Sequence, residues 1–216
     1  MKTNMNTILG VISSLALAQA AHATVLINDT FSRTGALDGS VTDTGQTWDT
    51  WVGSNPVVAT NGSTLHMEGA NSSRIGGLTL DLNCEYTLSM NVGLDNATAQ
   101  WTGFGFGNQH VDSIGFMLFR YIPEVQMFTE DIYVGQQTIA LANRDSRLFE
   151  ITLQTGNTLS DSTLSWAIDG SSIGTSAAVD ATGINSVFLQ ASGSVSTVSG
   201  ALSNVLITAS NGGGAT

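Results

Sequence analysis

Short apolar segments separated by turn residues run through most of this chain. Residues 86–92 alternate apolar and polar side chains, and this period of two is typical of a half-buried β-strand. Residues 114–121 are apolar on both faces and predict a central strand. No later segment shows a convincing, glycine-free helical period over ten residues. The pattern predicts an all-β chain, folded as an antiparallel β-sandwich of two sheets.

Turn residues predict where the chain reverses. Asn61-Gly62 and Asp169-Gly170 are typical two-residue hairpin turns. Trp166 precedes the second turn and shares its face with Leu164 and Ile168, so we expect it in the core. Residues 101–107 alternate glycine with phenylalanine and are followed by no helical pattern. They therefore predict a strand and not a dinucleotide-binding loop.

Residues 25–51 contain the most information about the architecture of the chain. Residues 25–31 predict the first strand, with apolar positions at Val25, Ile27 and Phe31. Asp38-Gly39 marks a turn, and a polar loop over residues 40–47 follows. Trp48 and Trp51 close this loop. Large apolar side chains at the end of a polar loop indicate a flap that is held on the core.

The order DTF (29–31), GALDG (35–39), DTGQTW (43–48) resembles the N-terminal part of bacterial concanavalin A-like, or laminin-G-like, jelly-roll domains. Such domains are common in exported surface proteins, including PEP-CTERM-type proteins, and as accessory modules beside glycan-processing enzymes. The resemblance implies that the first and last strands are neighbours in one sheet. We therefore expect residues 25–31 to pair with residues 202–208.

Residues 1–23 combine Lys2, an apolar run and an Ala21-His22-Ala23 ending, which is the pattern of a secretory signal peptide. We expect cleavage after Ala23, with Ala20 and Ala21 as the alternative positions. The expected organisation is a signal peptide (1–23), a sandwich domain (24–209) and a glycine-rich tail (210–216). The PEP-type sorting signal of some similar proteins does not follow in this sequence. We expect a secreted or cell-envelope protein, with no transmembrane segment after removal of the signal.

The net charge limits the choice of binding partners, and the cysteine content limits the possible disulfide and thiol chemistry. The chain has a formal net charge of −11, with 17 acidic residues. This charge argues against nucleic acid and anionic membrane surfaces as partners. The one cysteine, Cys84, has no partner for an internal disulfide, and its apolar setting predicts a buried small residue and not a nucleophile.

The catalytic candidates are few, and each has a simpler interpretation. Glucanases of the resembled fold carry a Glu-x-Asp-x-Glu strand, which is absent here; Glu124 and Glu130 are the nearest acids, and both are expected in solvated turns. His110 and Arg120, with Gln109 and Tyr121, supply the residue types of polysaccharide lyases without a matching spacing. For Arg120 the simpler interpretation is a position at the rim of the sheet.

Binding is the stronger expectation. Exposed aromatic rings stack on sugar faces, and the candidates are Trp101, Trp48, Trp51 and Tyr121. Trp101 shares a face with two glycines, which leave room either for a ligand or for close packing by the other sheet. Calcium is a further expectation, since laminin-G-like domains often hold this ion. Its candidate ligands are Asp38, Asp43, Asp49 and also Asp112.

Three functions remain open from the sequence. The leading one is an exported, non-catalytic domain that binds polysaccharide or forms part of an extracellular matrix. The second is a polysaccharide-degrading enzyme, either a glycoside hydrolase or a lyase. The third is a purely structural surface protein. An enzyme requires two titratable groups in one cleft, whereas a binding module requires an exposed aromatic ring without such a pair.

Overall fold

The computed structural model describes residues 23–52, 57–61, 65–68, 71–93, 101–107, 113–120, 124–129, 132–138, 147–174, 177–192 and 201–211. The first nine strands are β1 (Thr24–Asp29), β2 (Thr34–Ala36), β3 (Trp48–Val52), β4 (Val57–Asn61), β5 (Leu65–Glu68), β6 (Asn71–Gly76), β7 (Cys84–Gly93), β8 (Trp101–Gly107) and β9 (Ser113–Arg120). The others are β10 (Glu124–Thr129), β11 (Ile132–Thr138), β12 (Arg147–Gln154), β13 (Ser162–Ile168), β14 (Ser171–Ser172), β15 (Ala177–Val179), β16 (Ser186–Ser192) and β17 (Ala201–Asn211). A single 3-10 turn, Leu159–Asp161, is the one helical segment among these residues.

The strands form two antiparallel sheets, as the sequence predicts. Among the described residues, one sheet has ten strands, in the order β14-β13-β12-β7-β17-β5-β4-β2, with β1 also paired to β17 and β15 to β13. The other has seven described strands, in the order β11-β10-β9-β8-β16-β6-β3. The pairing of β1 with β17 confirms the expected contact between the first and last strands. Strand β9 lies between β8 and β10, which confirms a central strand at this point.

The core lies between the two sheets and follows the period of two. On β7, the apolar side chains of the alternating segment are buried, because alternate residues of a strand point to one face. Trp166 and Cys84 are both in this core, with 2% and 7% of their surface exposed, as predicted. The hairpin at Asp169-Gly170 is also confirmed. Both residues have positive φ, of 50° and 75°, which is the requirement of a type I′ turn.

A buried carboxylate organises the N-terminal motif. Asp29 ends β1 with no exposed surface, and its Oδ1 accepts hydrogen bonds from the Phe31 amide (2.8 Å) and Arg33 Nη1 (2.7 Å). Its Oδ2 accepts from Arg33 Nη2 (2.8 Å) and from Trp48 Nε1 (2.6 Å). The bond to the amide holds Phe31 at a φ of 52°, a conformation that is uncommon for a bulky residue. The DTF and QTW segments of the motif are therefore joined through one buried ionic cluster.

The polar loop of the motif covers the outer edge of β1. Thr44 Oγ1 accepts a hydrogen bond from the Asn28 amide (2.8 Å), and Gln46 Nε2 donates one to the Leu26 carbonyl (3.0 Å). Asp43 Oδ2 accepts from both the amide and the hydroxyl of Thr30, at 2.9 and 2.7 Å. An uncovered strand edge presents unpaired backbone groups that recruit other strands. The predicted flap is thus confirmed, and its side chains occupy the backbone groups that a further strand would use.

The alternation along β1 is interrupted between Val25 and Ile27. Val25 is 50% exposed and does not share the buried face of Ile27. The register along β17 shifts between these two residues, so that Leu26 has no direct partner. A bulge of this kind reverses the alternation on one side of it. No feature of the sequence marks this position.

The predicted signal peptide lies outside the described residues, apart from its final residue. Of the predicted glycine-rich tail (210–216), Ser210 and Asn211 belong to β17, and residues 212–216 lie outside the described residues as well. Within the described part of the chain, no helix combines the length and the apolar character that a membrane crossing requires.

Candidate functional site

The candidate site is the face of the seven-stranded sheet that points away from the core. On β16, Val187 and Leu189 belong to the core cluster between the sheets. Phe188 lies between them in sequence and therefore points to the opposite face, although only 1% of its surface is exposed. On β10, Val125 and Met127 are core residues. Gln126 and Phe128 therefore share the outward face with Phe188.

An aromatic row crosses this face. Tyr133 of β11 is the cross-strand partner of Phe128, and the two rings meet edge to face with centroids 5.9 Å apart. Further along the sheet, Phe188 is flanked by Gly105 of β8 on one side and Arg74 of β6 on the other. Tyr133 is 48% exposed, whereas Phe188 is buried. The accessible part of the aromatic row is therefore its Phe128–Tyr133 end.

An amide row runs beside the aromatic row, one step along the strands. Gln136 of β11 is paired with Gln126 of β10, and Gln190 of β16 is paired with Gly103 of β8. Gln136 is exposed and Gln126 is buried. The Tyr133 hydroxyl donates to Gln136 Oε1 at 3.0 Å and so joins the two rows. The amide groups provide hydrogen bonds, and the aromatic rings beside them provide a stacking surface.

Gly105 of β8 lies close to its neighbours on β9 and β16. A Cβ atom added to Gly105 would lie 2.7 Å from the carbonyl oxygen of Gly115 and 3.1 Å from the ring of Phe188. Glycine is therefore required at this position, because a Cβ atom would collide with the backbone of β9. Phe104 and Phe106 are in the core, with 1% and 0% exposure. Close packing by the other sheet does not explain these glycines, because they point away from it.

Three candidates from the sequence lie in one row across the strands, next to the amide row on this face. Glu124 of β10 is the cross-strand partner of Arg120 of β9. Thr102 pairs with Phe119, so the next register step places Trp101 beside Arg120. The side chains of Trp101 and Arg120 lie outside the described parts. Glu124 is the first residue of β10 and not part of a turn as predicted; its Oε1 accepts a hydrogen bond from Gln126 Nε2 at 3.2 Å.

Trp48 does not belong to the site, and its prediction as a sugar platform is wrong. The side chain has no exposed surface. Its indole nitrogen donates to Asp29, and its ring contacts Phe31 with a centroid separation of 6.1 Å. Neither ring face is open to a ligand. Trp51 lies on β3 with a side chain that is not described, and Tyr121, His110, Glu130 and Asp112 lie outside the described residues altogether.

The three aspartates predicted as calcium ligands do not come together in the described structure. Asp49 lies on β3 and pairs with Arg74 Nη2 at 3.0 Å. Asp43 accepts its two bonds from Thr30, at the edge of β1. Asp38 lies in the turn before that loop. Within the described ranges, no three side chains of the His, Cys, Asp or Glu type come close enough together to hold a metal ion. Each aspartate serves a turn, an edge or an ion pair instead.

The hydrogen bonds of Asp43 predict an acid-dependent loss of stability. The Thr30 hydroxyl and then the Thr30 amide lower the pKa of Asp43 below its usual value. This carboxylate therefore stabilises the fold above its unfolded-state pKa, and the contribution is lost as pH falls through the lower folded-state pKa. Between about pH 5 and pH 2, we expect the urea midpoint to fall further for the wild type than for Asp43→Asn. Parallel curves for the two proteins would contradict this account.

Sequence reasoning missed most of the described site. The aromatic pair of Phe128 and Tyr133 and the two glutamines beside it were not singled out, although Glu124, Gln126 and Phe128 alternate with core residues on β10. That alternation was the available signal. It was obscured because one member of the outward set is apolar, so that the strand carries no simple apolar–polar pattern.

The fold defines a concanavalin A-like β-sandwich protein. No family model matches the chain, and no curated protein sequence matches it. Among solved structures, it is similar to an endo-1,3-beta-glucanase from Streptomyces sioyaensis, with a TM-score of 0.61 and 11% identity over 90% of this chain and 99% of that one. The catalytic domain of a Thermotoga petrophila laminarinase gives 0.56, with 8% identity over 88% and 98%. The metal-free Emp46p carbohydrate recognition domain gives 0.53, with 10% identity over 84% and 97%. Identities this low show a shared fold and nothing finer.

Proposed function

We propose that this chain is a non-catalytic carbohydrate-binding domain whose site is the outward face of the seven-stranded sheet. The observation that carries this proposal is the position of the exposed Tyr133 ring, packed against Phe128 and bonded to Gln136. A ring of this kind offers a flat apolar surface to a pyranose, while neighbouring amides bond its hydroxyl groups. The carbohydrate recognition domain among the similar folds supports the same class of ligand.

The ligand class that fits best is a neutral polysaccharide. The chain has a net charge of −11, which repels uronic acid and sulfated polymers at long range. The described side chains at this end are aromatic rings, amides and the carboxylate of Glu124, which suit hydroxyl groups.

Hydrolysis is the second candidate, favoured by the two glucanases of the same fold. Across the described strands of the seven-stranded sheet, the carboxylates are Asp49 on β3 and Glu124 on β10. These strands are five steps apart in the sheet order, or about 24 Å at the usual strand spacing. Glycosidases place their two carboxyl groups about 5 to 9.5 Å apart. This separation supports binding over hydrolysis by these two groups.

Export belongs to the same proposal. Residues 1–23 have the composition of a signal peptide, and an exported glycan-binding domain, free or within an extracellular matrix, would meet polysaccharide outside the cell. A purely structural surface protein is the remaining alternative. It would need no accessible ring at this face.

The test is retention on insoluble and soluble neutral polysaccharides by residues 24–216. We expect Tyr133→Ala to weaken binding about fivefold, because a stacked ring contributes on the order of 1 kcal/mol. The matched control is Leu82→Ala, since Leu82 has the same 48% exposure but lies in the turn before β7. Trp101→Ala, at the neighbouring end of the face, is expected to weaken binding as well. Isothermal titration or affinity electrophoresis measures the change.

The samples of the retention experiment should also be assayed for released sugar, with calcium and with a chelator. Retention without release, reduced by Tyr133→Ala and unchanged by Leu82→Ala, would support the proposal. Sugar release would replace it with the enzyme, and Glu124, Glu130 and His110 would then be the first residues to substitute. Equal losses in both variants, or no retention on any polymer, would contradict the site and favour the structural protein.

A further inference from the structure

The sheet edges of this protein are not equally protected. In the ten-stranded sheet, the marginal strands β2, β14 and β15 have only three, two and three residues. The loop side chains described above cover β1. In the seven-stranded sheet, β3 carries the charged pair of Asp49 with Arg74. Short length, covering side chains and charge are the usual means of preventing edge-to-edge association.

Strand β11 has none of these protections over its described residues. It is seven residues long, has the sequence IYVGQQT and contains no charged side chain. Every residue except Gly135 is exposed. Ile132, Tyr133 and Val134 are 63%, 48% and 43% exposed, three successive large side chains at the margin of the sheet. A long, uncharged and apolar edge is a template for pairing with another strand.

We propose that β11 pairs antiparallel with β11 of a second copy of this chain, which joins two seven-stranded sheets across a twofold axis. Two copies of a chain with net charge −11 repel each other over most of their surfaces. At β11 no like charges face each other, because the strand carries no charged side chain. Full overlap of the seven residues of β11 centres the twofold axis on Gly135. A twofold interface uses the same patch twice, so that no second surface is needed.

The pairing is expected to be weak. The register with β10 shifts between Gly135 and Tyr133, so that Val134 forms a bulge, and a bulge disturbs the regular ladder that a partner strand would extend. Added salt should strengthen the dimer, because it screens the repulsion between two acidic bodies. The dimer would display two glycan-binding faces on one continuous sheet.

The experiment is sedimentation velocity of the purified protein over a roughly hundredfold range of concentration, at low and high salt. The test variant is Val134→Lys, and the matched control is Val41→Lys, since Val41 is 52% exposed but lies in the loop beside β1. Both substitutions reduce the net negative charge equally. A dimer lost only in Val134→Lys would therefore reflect the edge and not long-range repulsion. Circular dichroism checks that both variants are folded.

Hydrogen exchange provides a second measurement on the wild type. Amides of residues 132–138 should exchange more slowly at high than at low protein concentration, and those of the covered strand β1 should not change. A dimer that survives Val134→Lys, or that protects other residues, would place the interface elsewhere and overturn the proposal. A wild-type protein that remains monomeric at every concentration and salt would overturn it too.

Discussion

Asp29→Ala is expected to lower the free energy of unfolding by about 3 to 5 kcal/mol, the usual cost of removing one partner of a buried ion pair. The substitution removes the acceptor for two Arg33 nitrogens, the Trp48 indole and the Phe31 amide at once. The Arg33 side chain is 25% exposed, so water can still solvate part of its charge. We therefore expect a loss toward the lower end of the range. Urea denaturation followed by circular dichroism measures the loss.

The control is Asp49→Ala, which breaks the ion pair with Arg74. The Asp49 side chain is 58% exposed, and exposed pairs contribute about 0 to 1 kcal/mol. Asp29→Asn should fall between the two, because the amide oxygen still accepts hydrogen bonds but carries no charge. If Asp29→Ala and Asp49→Ala destabilised the protein equally, the buried cluster would not be what joins the motif to the core.

The N-terminal motif shows which structural features could be predicted from the sequence and which could not. The DTF and QTW segments could be recognised as architecture, and a loop held by tryptophan could be predicted for Trp48. The role of Asp29 could not, because its position two residues after Ile27 places it on the core face, but nothing in the local sequence shows that partners are there to pair a buried carboxylate. Burial of Asp29 depends on Arg33, four residues further on, and on Trp48 at the start of β3. Such convergence is a property of the folded chain and not of any local pattern.

The fold was predictable because its signals are local. Period-two alternation on β7 and the Asp169-Gly170 turn both follow from the nearest few residues. The candidate site is different, since it is assembled from six strands, β6, β16, β8, β9, β10 and β11, in register. Tyr133 and Phe188 are 55 positions apart in the sequence and share a row only because of the strand order. A single sequence offers no signal for that order.

Trp166→Ala is expected to destabilise the protein by about 3 to 5 kcal/mol, the usual cost of removing a buried tryptophan. Trp166 faces Ile151 across β12 and β13 and is 2% exposed. Its ring lies near Gly174, where an added Cβ would be 3.5 Å from Cε3. The surrounding sheets are fixed by their ladders and cannot close the cavity. A urea midpoint shift measures the loss, and a change of less than about 1 kcal/mol would contradict this packing.

Phenylalanine substitutions separate packing from hydrogen bonding in the two buried tryptophans. The indole nitrogen of Trp166 is buried and has no hydrogen-bond partner among the described residues, a state that costs about 1 to 3 kcal/mol. Trp166→Phe removes this unpaired donor along with part of the ring, and we expect a net change within about 1 kcal/mol because the two effects oppose each other. Trp48→Phe removes a donor that bonds Asp29 at 2.6 Å, and a hydrogen bond to a charged group contributes about 1.5 to 3 kcal/mol. Trp48→Phe should therefore be the more damaging change, although both rings fill the same core. Equal losses would mean that ring volume alone decides the stability at both positions, and that the bond to Asp29 contributes little.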